Sequence, residues 1–210
     1  YIQQIKHERP NAEVIAGNVC TAIAYQDLVN AGADAVKVGV GPGSNCTTRI
    51  MTGFGVPQFT AVYECAQLAK KLRVPIIADG GIREPRDVAI ALAAGASTVM
   101  MGGLFARTYE SAAPKTTHLD GTTTARFRGQ ASQEFQEDFY GKMRPKTVPE
   151  GIGQTVQVKQ STQEVLDSFL GGLRSAMTYG GARDMKEFQR KAEFIRVSPG
   201  YMKESYPQQM

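Results

Sequence analysis

The 210-residue sequence is poor in the residues that build metal centres and disulfide frameworks. Two histidines, His7 and His118, are too few for a histidine-rich metal site. The three cysteines are an odd number and none forms a Cys-X-X-Cys pair. That usage argues against a disulfide framework or a zinc site and is typical of a reducing compartment, so we expect a cytoplasmic protein.

The sequence also lacks a long apolar run and a concentration of basic residues. No apolar stretch approaches the roughly 18 to 20 residues that span a membrane. The net charge is +4, with lysines and arginines scattered along the chain. This pattern argues against a nucleic-acid partner and against a membrane, and it suits an anionic small substrate.

The first half of the chain repeats a strand–helix unit four times. The short β-branched runs AEVIAGNV and AVKVGV predict buried strands, and TAIAYQDLVNAGA between them predicts a helix. VPIIADGG and STVMMGG predict two more strands, separated by the helical pattern EPRDVAIALAAGA. Apolar strands that alternate with helices favour an α/β fold with a parallel sheet.

Two α/β architectures fit this pattern, an open doubly wound sheet and a (β/α)8 TIM barrel. All four predicted strands end in glycine or small polar residues, and a barrel brings such ends to one mouth. A doubly wound sheet offers a single crevice instead, so the pattern favours the barrel. Because a barrel needs eight strands, we expect residues 1–210 to form the C-terminal half of one, with the other strands upstream.

The polar segment 116–153 breaks the periodicity and is rich in Gly, Thr and Gln. Long segments of this kind are often functional lids, so we expect a mobile flap within the barrel. The segment beginning FIRV, near the C-terminus, is expected to form a short strand followed by a tail.

Cys46 lies in GPGSNCTTR, directly after the predicted strand AVKVGV. A free cysteine is most often a small buried hydrophobe. This one follows a Pro-Gly turn and has polar neighbours, and Arg49 with backbone N–H groups would favour its thiolate form. The context predicts a nucleophile, whereas Cys20 and Cys65 are expected to be structural.

Glycines end three successive predicted strands. Two carboxylates are also candidates for the site, Asp79 at the end of one of these strands and Glu150 later in the chain. Together the glycine N–H groups can bind a phosphate, although barrels also need glycine there for steric reasons. Asp79 could cap the next turn or accept hydrogen bonds from a ribose diol. Glu150 could be a solvated loop residue or act on a substrate from a lid. The glycines are Gly41, Gly43, Gly80, Gly81, Gly102 and Gly103.

The motifs GVGPGSNCTTR, IIADGGI and STVMMGG together resemble the inosine-5′-monophosphate dehydrogenase and GMP reductase family. The resemblance covers essentially the whole chain. It implies a homotetramer of (β/α)8 barrels that binds GMP or IMP. It also implies that Cys46 attacks purine C2 to form a covalent thioimidate, assisted by Thr48, with Glu150 facing the base.

The resemblance further implies the residues that hold the nucleotide and a possible cation. Asp79 would bind the ribose hydroxyls. A K⁺ ion would bind carbonyls of Gly41, Gly43 and Cys46, together with Glu204 in the tail. The phosphate contacts would be Ser44, Gly81, Gly102 and Gly103, and further substrate contacts would be Gly129 and Gln130.

Within the family, the flap resembles that of the reductases. Dehydrogenases carry an Arg-Tyr pair that activates water, but here Phe139 precedes Tyr140, and FRGQAS replaces the dehydrogenase-like YRGMGS. We therefore expect NADPH-dependent reductive deamination of GMP to IMP and ammonia. The alternative is NAD-dependent oxidation of IMP to XMP, which VPEGI and the tail favour. A nucleotide-binding barrel without activity is the third alternative.

Overall fold

In the computed structural model, which describes residues 1–143 and 145–207, a four-stranded parallel sheet has the order β1-β2-β3-β4. Its members follow one another in the chain, as the repeated strand–helix pattern predicts. The predicted α/β fold with a parallel sheet is confirmed. The strands are β1 (Ile15–Val19), β2 (Ala35–Val38), β3 (Ile76–Asp79) and β4 (Thr98–Met100).

Helices follow the strands and cover the sheet. One face of the middle strands is buried under the helices, where Val36, Val38 and Ile76 are fully buried, whereas the alternate residues on the other face are only partly buried. Helix α4 turns Val62 and Cys65 toward them. The helices of the chain are α1 (Ile2–Glu8), α2 (Ala22–Asn30), α3 (Thr48–Thr52), α4 (Gln58–Leu72), α5 (Pro85–Ala93), α6 (Gln133–Tyr140), α7 (Thr162–Tyr179), α8 (Met185–Lys191) and α9 (Gly200–Glu204), with a 3₁₀ helix, η1, at Phe105–Arg107.

The polar segment 116–153 contains more regular structure than its sequence suggests. Strands β5 (Lys115–Thr117), β6 (Thr123–Arg128) and β7 (Gly153–Gln157) form an antiparallel sheet, and α6 lies between β6 and β7. In β6, Ala125 is buried against Val156 while Arg126 is exposed, so the strand is half-buried. Threonine and arginine on its outer face hide the apolar alternation. The mobility of this flap stays a prediction.

The prediction of a strand at the segment beginning FIRV is wrong. Residues 193–199 have no strand pairing, and the next element is the short helix α9. Phe194 packs instead on the aromatic side chains of α4, with ring centroids 4.8 Å from Phe59 and 6.1 Å from Tyr63. Side-chain packing on a helix therefore replaces backbone pairing. Within the described ranges, no helix is long and apolar enough to cross a membrane.

The chain turns sharply at Gly39, where β2 ends beside β3. Gly39 has φ of 150°, and a Cβ there would lie 2.1 Å from the carbonyl oxygen of Asp79. Its own N–H donates to the carbonyl of Val19, at the end of β1. A side chain at this position would push apart three neighbouring strand ends.

We predict that Gly39→Ala lowers the free energy of unfolding by about 3 kcal/mol, through positive-φ strain together with overpacking against backbone. The matched control is Gly121→Ala, because Gly121 also has positive φ but open space around it. That control should lose only about 1 kcal/mol. Urea unfolding of the intact protein measures both. Equal losses would contradict the close approach of the strands.

Candidate active site

A cavity of about 1050 Å³ opens at the carboxyl ends of the four parallel strands. Its walls also include the end of β6 and the segments that flank α6. The structure therefore brings the strand ends and the flap to one place, as a barrel mouth requires. The predicted catalytic residues Cys46, Thr48 and Glu150 all line it. So do the predicted substrate-binding residues Ser44, Asp79, Gly81, Gly102, Gly103, Gly129 and Gln130.

A chain of hydrogen bonds links the three predicted catalytic side chains. The Cys46 thiol donates to Thr48 Oγ1 at 3.3 Å, and the Thr48 hydroxyl donates to Glu150 Oε2 at 2.7 Å. The sulfur is therefore two hydrogen bonds from a carboxylate that is more than one hundred residues away in the sequence. This arrangement can move a proton from the thiol to the carboxylate, as an activated nucleophile needs.

Backbone pairing holds Glu150 against the loop that carries Cys46, residues 39–47, which we call the cysteine loop. The Thr47 N–H donates to the Glu150 carbonyl at 2.8 Å, and the Ile152 N–H donates to the Asn45 carbonyl at 2.9 Å. Cys46 and Gly151 form an antiparallel bridge between these two bonds. The loop after β2 and the end of the flap thus form a short ladder, which fixes the distance from Thr48 to Glu150.

The ladder leaves little room for a side chain at Gly151. A Cβ there would lie 3.1 Å from the Ser132 nitrogen and 3.2 Å from the Asn45 carbonyl oxygen. Ser132 is the N-cap residue directly before α6, and its side chain accepts a hydrogen bond from the Phe135 N–H at 3.2 Å. Three segments therefore meet around Gly151, and the flap helix starts from the same point.

Arg49 has a different role from the one that its position suggests. Its guanidinium donates to the carbonyls of Val40 and Val56, at 3.3 Å and 2.6 Å. These contacts tie together the two ends of the loop that carries Cys46. The described contacts of this arginine therefore brace the loop, and the hydrogen-bonded chain from Glu150 reaches the thiol through Thr48 instead.

The glycines at the strand ends allow close approach of the cysteine loop. Gly80 has φ of 87°, and a Cβ there would lie 2.9 Å from the Gly43 nitrogen. A Cβ at Gly103 would lie 2.9 Å from Ser44 Oγ. Steric need thus explains part of this pattern, and the same close packing presents Ser44 and the glycine backbone to one part of the cavity.

Asp79 is paired across three neighbouring strands. Its Oδ2 accepts from Lys37 Nζ at 2.8 Å and from Asn18 Nδ2 at 3.0 Å. Among the described residues, the side-chain donors to this carboxylate both bind Oδ2, and Asp79 lines the cavity. The two donors therefore orient the carboxylate, with its other oxygen available to a ligand hydroxyl, and the turn-capping alternative does not describe it.

Sequence reasoning missed three of the polar residues that build this end of the cavity. Asn18 and Lys37 lie within apolar strands, where a polar residue near the carboxyl end is a usable signal. Gln58 begins α4, and its Nε2 donates to the carbonyls of Val38 and Asp79 at 3.0 Å and 3.2 Å. Nothing in the local sequence of Gln58 indicates that it joins the ends of β2 and β3.

The candidate cation site is only partly assembled by the described residues. Gly41, Gly43 and Cys46 line the cavity, and the Gly43 carbonyl already accepts the Cys46 N–H at 3.0 Å. Glu204 is exposed at the end of α9 and is not among the residues that line the cavity. Within the described part of the chain, no group of three or more His, Cys, Asp or Glu side chains could hold a metal ion. K⁺ binding through carbonyls stays a prediction.

Comparison with known proteins identifies related chains. Residues 1–208 match the family model of the IMP dehydrogenase / GMP reductase domain. Inosine-5′-monophosphate dehydrogenase of Aquifex aeolicus is 48% identical over 211 residues, which are 98% of this chain and 43% of that protein. The enzyme of the same name from Chlorobaculum tepidum is 45% identical over 217 residues, which are 98% of this chain and 44% of that protein.

A solved structure has the same fold over the whole of this chain. It is a GMP reductase variant from Trypanosoma brucei in complex with guanosine 5′-monophosphate, with a TM-score of 0.92 and 37% sequence identity. The match covers 100% of this chain and 44% of that one. The chain thus spans less than half the length of the proteins it matches, and its sheet corresponds to part of a barrel.

Cys46 and Cys65 should differ in the reactivity of their thiols. Cys65 is fully buried, and burial together with the nearby Cys20 raises the pKa of its thiol to about 11. Only roughly one Cys65 thiol in a thousand is then ionised at pH 8. Cys46 is partly exposed in the cavity.

We predict that iodoacetamide modifies Cys46 at least about tenfold faster than Cys65 in the folded protein at pH 8. Peptide mass spectrometry of timed samples measures both rates, and urea-unfolded protein provides the reference in which burial is removed. Equal rates in the folded protein would contradict the placement of the two thiols.

Proposed function

The chain belongs to the IMP dehydrogenase / GMP reductase family, and we propose that it carries the covalent chemistry of a purine-nucleotide oxidoreductase, with Cys46 as the nucleophile. The hydrogen-bonded chain from Cys46 through Thr48 to Glu150 supports this most directly. A buried structural cysteine needs no such relay. The site instead links the thiol to a proton acceptor inside a large cavity.

In the first step the thiol proton passes to Thr48 as the Thr48 hydroxyl proton passes to Glu150. The resulting thiolate attacks C2 of the purine of GMP and forms the S–C2 bond. The C2–N bond to the exocyclic amino group then breaks. Glu150 returns the proton through Thr48 to the departing nitrogen, which leaves as ammonia. The thiol has thus replaced the amine, and a thioimidate remains on Cys46.

The second step reduces the thioimidate at C2 and releases IMP and the free cysteine. A nicotinamide cofactor, NADPH in this proposal, supplies the hydride when it is bound. The cavity of about 1050 Å³ is at the upper end of the usual range for small-ligand sites, so it has room beside a mononucleotide. Cys46 leaves as a thiolate, and the relay can return a proton to it.

The rest of the cavity suits the remaining parts of the nucleotide. The Asp79 carboxylate is held by Lys37 and Asn18, so its other oxygen can accept hydrogen bonds from the ribose hydroxyls. Gly129 and Gln130 lie within the flap, between β6 and α6, and would close over the base. The phosphate would bind where the cysteine loop meets two strand ends, at Ser44, Gly81, Gly102 and Gly103.

Reduction is favoured over dehydrogenation by the flap helix α6. Its last residues are Phe139 and Tyr140, and Phe139 stacks on Phe135 with ring centroids 5.5 Å apart. The sequence has no Arg-Tyr pair to activate a hydrolytic water. Reductive deamination needs no such water, because hydride and not hydroxide reaches C2.

Dehydrogenation of IMP with NAD is the second candidate. Its support is the identity of 48% and 45% to two relatives named inosine-5′-monophosphate dehydrogenase. The same cysteine chemistry would serve, but hydride would leave C2 and water would release XMP. Another flap group would then have to activate the water.

We propose further that residues 1–210 form the C-terminal part of a single barrel in a cytoplasmic homotetramer. The sheet ends in two strands with exposed apolar side chains, since Ile15 of β1 is 62% exposed and Met100 of β4 is 42% exposed. Barrel closure would cover such edges. A K⁺ ion on Gly41, Gly43, Cys46 and Glu204 belongs to the same proposal.

The proposed activity is tested with two substrate pairs and the intact protein. GMP with NADPH is compared with IMP and NAD, and the nicotinamide absorbance and released ammonia are measured in each. Oxidation of NADPH with one ammonia per turnover is the expected result. Formation of NADH and XMP would establish the second candidate instead. Nucleotide binding without turnover in either pair would show a barrel without activity.

We predict that Thr48→Val lowers kcat by about 10²- to 10⁴-fold, because it breaks the relay between thiol and carboxylate. Nucleotide affinity should change little. The matched control is Thr47→Val, because Thr47 contacts Glu150 through its backbone N–H, which valine keeps. Steady-state kinetics and equilibrium binding measure both variants. A similar loss of kcat in the two variants would contradict the relay.

A further inference from the structure

The cavity contains several basic side chains, most of which are already engaged. Lys37 forms an ion pair with Asp79 at 2.8 Å. The guanidinium of Arg49 donates to two backbone carbonyls of its own loop. Arg83 has a side chain that is 79% exposed, and it approaches Asp87 at 4.0 Å. Each of these three side chains therefore already has a partner.

Arg107 is different, and sequence reasoning did not single it out. Its side chain lines the cavity and is exposed. Among the described residues it has neither an ion-pair partner nor a side-chain hydrogen bond. Gly102, Gly103 and Leu104, which shortly precede it in the chain, also line the cavity. An unpaired guanidinium in a ligand cavity is available to bind an anionic ligand.

The backbone of Arg107 is fixed even though its side chain is free. Arg107 ends the 3₁₀ helix η1, and its N–H donates to the Leu104 carbonyl at 3.2 Å. Its carbonyl accepts from the Lys159 N–H at 3.0 Å, which ties η1 to the segment after β7. The preceding residue, Ala106, is buried in a small core together with Ala125 and Val156 of the antiparallel sheet. The guanidinium therefore extends from a rigid base.

The part of the cavity next to η1 is built from neutral groups. Ser44 Oγ lies near Gly103, and the Ser44 carbonyl accepts from Gln154 Nε2 at 3.0 Å. The Phe127 ring packs against Gly102, where a Cβ would lie 3.3 Å from it, and offers no hydroxyl. A phosphate dianion bound here would have hydrogen-bond donors but no opposite charge, unless Arg107 supplies it.

We propose that Arg107 forms an ion pair with the phosphate of the bound mononucleotide. The proposal rests on the proposed function, since it assumes that a purine mononucleotide occupies this cavity. A planar guanidinium binds two phosphate oxygens at once, which gives both affinity and orientation. Arg107 thereby selects 5′-phosphorylated substrates over nucleosides and holds the purine C2 at the distance that Cys46 requires.

The test uses the intact protein and its Arg107→Gln and Arg107→Lys variants. Arg190→Gln is the matched control, because it removes the same charge from α8, outside the cavity lining. Equilibrium binding is measured for GMP, for guanosine and for NADPH, and circular dichroism confirms that each variant is folded. Arg107→Gln should weaken GMP binding by about 10- to 100-fold and leave guanosine binding unchanged. Arg107→Lys should recover part of the loss, and Arg190→Gln should lose nothing.

Other results would overturn the proposal. Equal losses for GMP and guanosine would make the role of Arg107 structural, and a loss confined to NADPH would place its charge on a phosphate of the cofactor. Unchanged GMP binding in Arg107→Gln would leave the proposed function standing without Arg107. If the unsubstituted protein binds no purine mononucleotide, the proposed function fails and this inference fails with it.

Discussion

The short backbone ladder between the cysteine loop and the end of the flap is the constraint on which the site depends. Two hydrogen bonds, Thr47 N–H to Glu150 and Ile152 N–H to Asn45, join segments that are about one hundred residues apart. The first segment carries the Cys46 thiol and the Thr48 hydroxyl, and the second carries the Glu150 carboxylate. The hydrogen-bonded chain from Cys46 to Glu150 therefore depends on this ladder, which holds the two segments together.

The ladder is supported from both sides. The antiparallel sheet of β5, β6 and β7 fixes the flap ends, because Gly153 pairs with Arg128 just beyond Glu150. Asn45 is 94% buried, and its Nδ2 donates to the Phe127 carbonyl at 3.2 Å, while its Oδ1 has no partner among the described residues. Asn45 therefore ties the cysteine loop to the end of β6.

The sequence predicts the strand–helix repeat and the meeting of its strand ends because both depend on local patterns. Short apolar β-branched runs and helical spacing identify the four strands and their helices, and the Gly-rich turn before Cys46 marks the cysteine loop. The flap strands were hidden because β6 faces the solvent with threonine and arginine. Lys37, Gln58 and Arg107 escaped because their roles depend on contacts between distant segments, which no local spacing encodes.

The proposed chemistry requires a covalent bond between Cys46 and the nucleotide. Rapid-quench mass spectrometry of the intact protein detects such a bond. The protein is mixed with GMP, quenched in acid within one turnover, and digested. We expect one purine nucleotide, less ammonia, on the peptide that contains Cys46, and no adduct in Cys46→Ser. Turnover with no adduct on Cys46 at any quench time, or with full activity in Cys46→Ser, would contradict it.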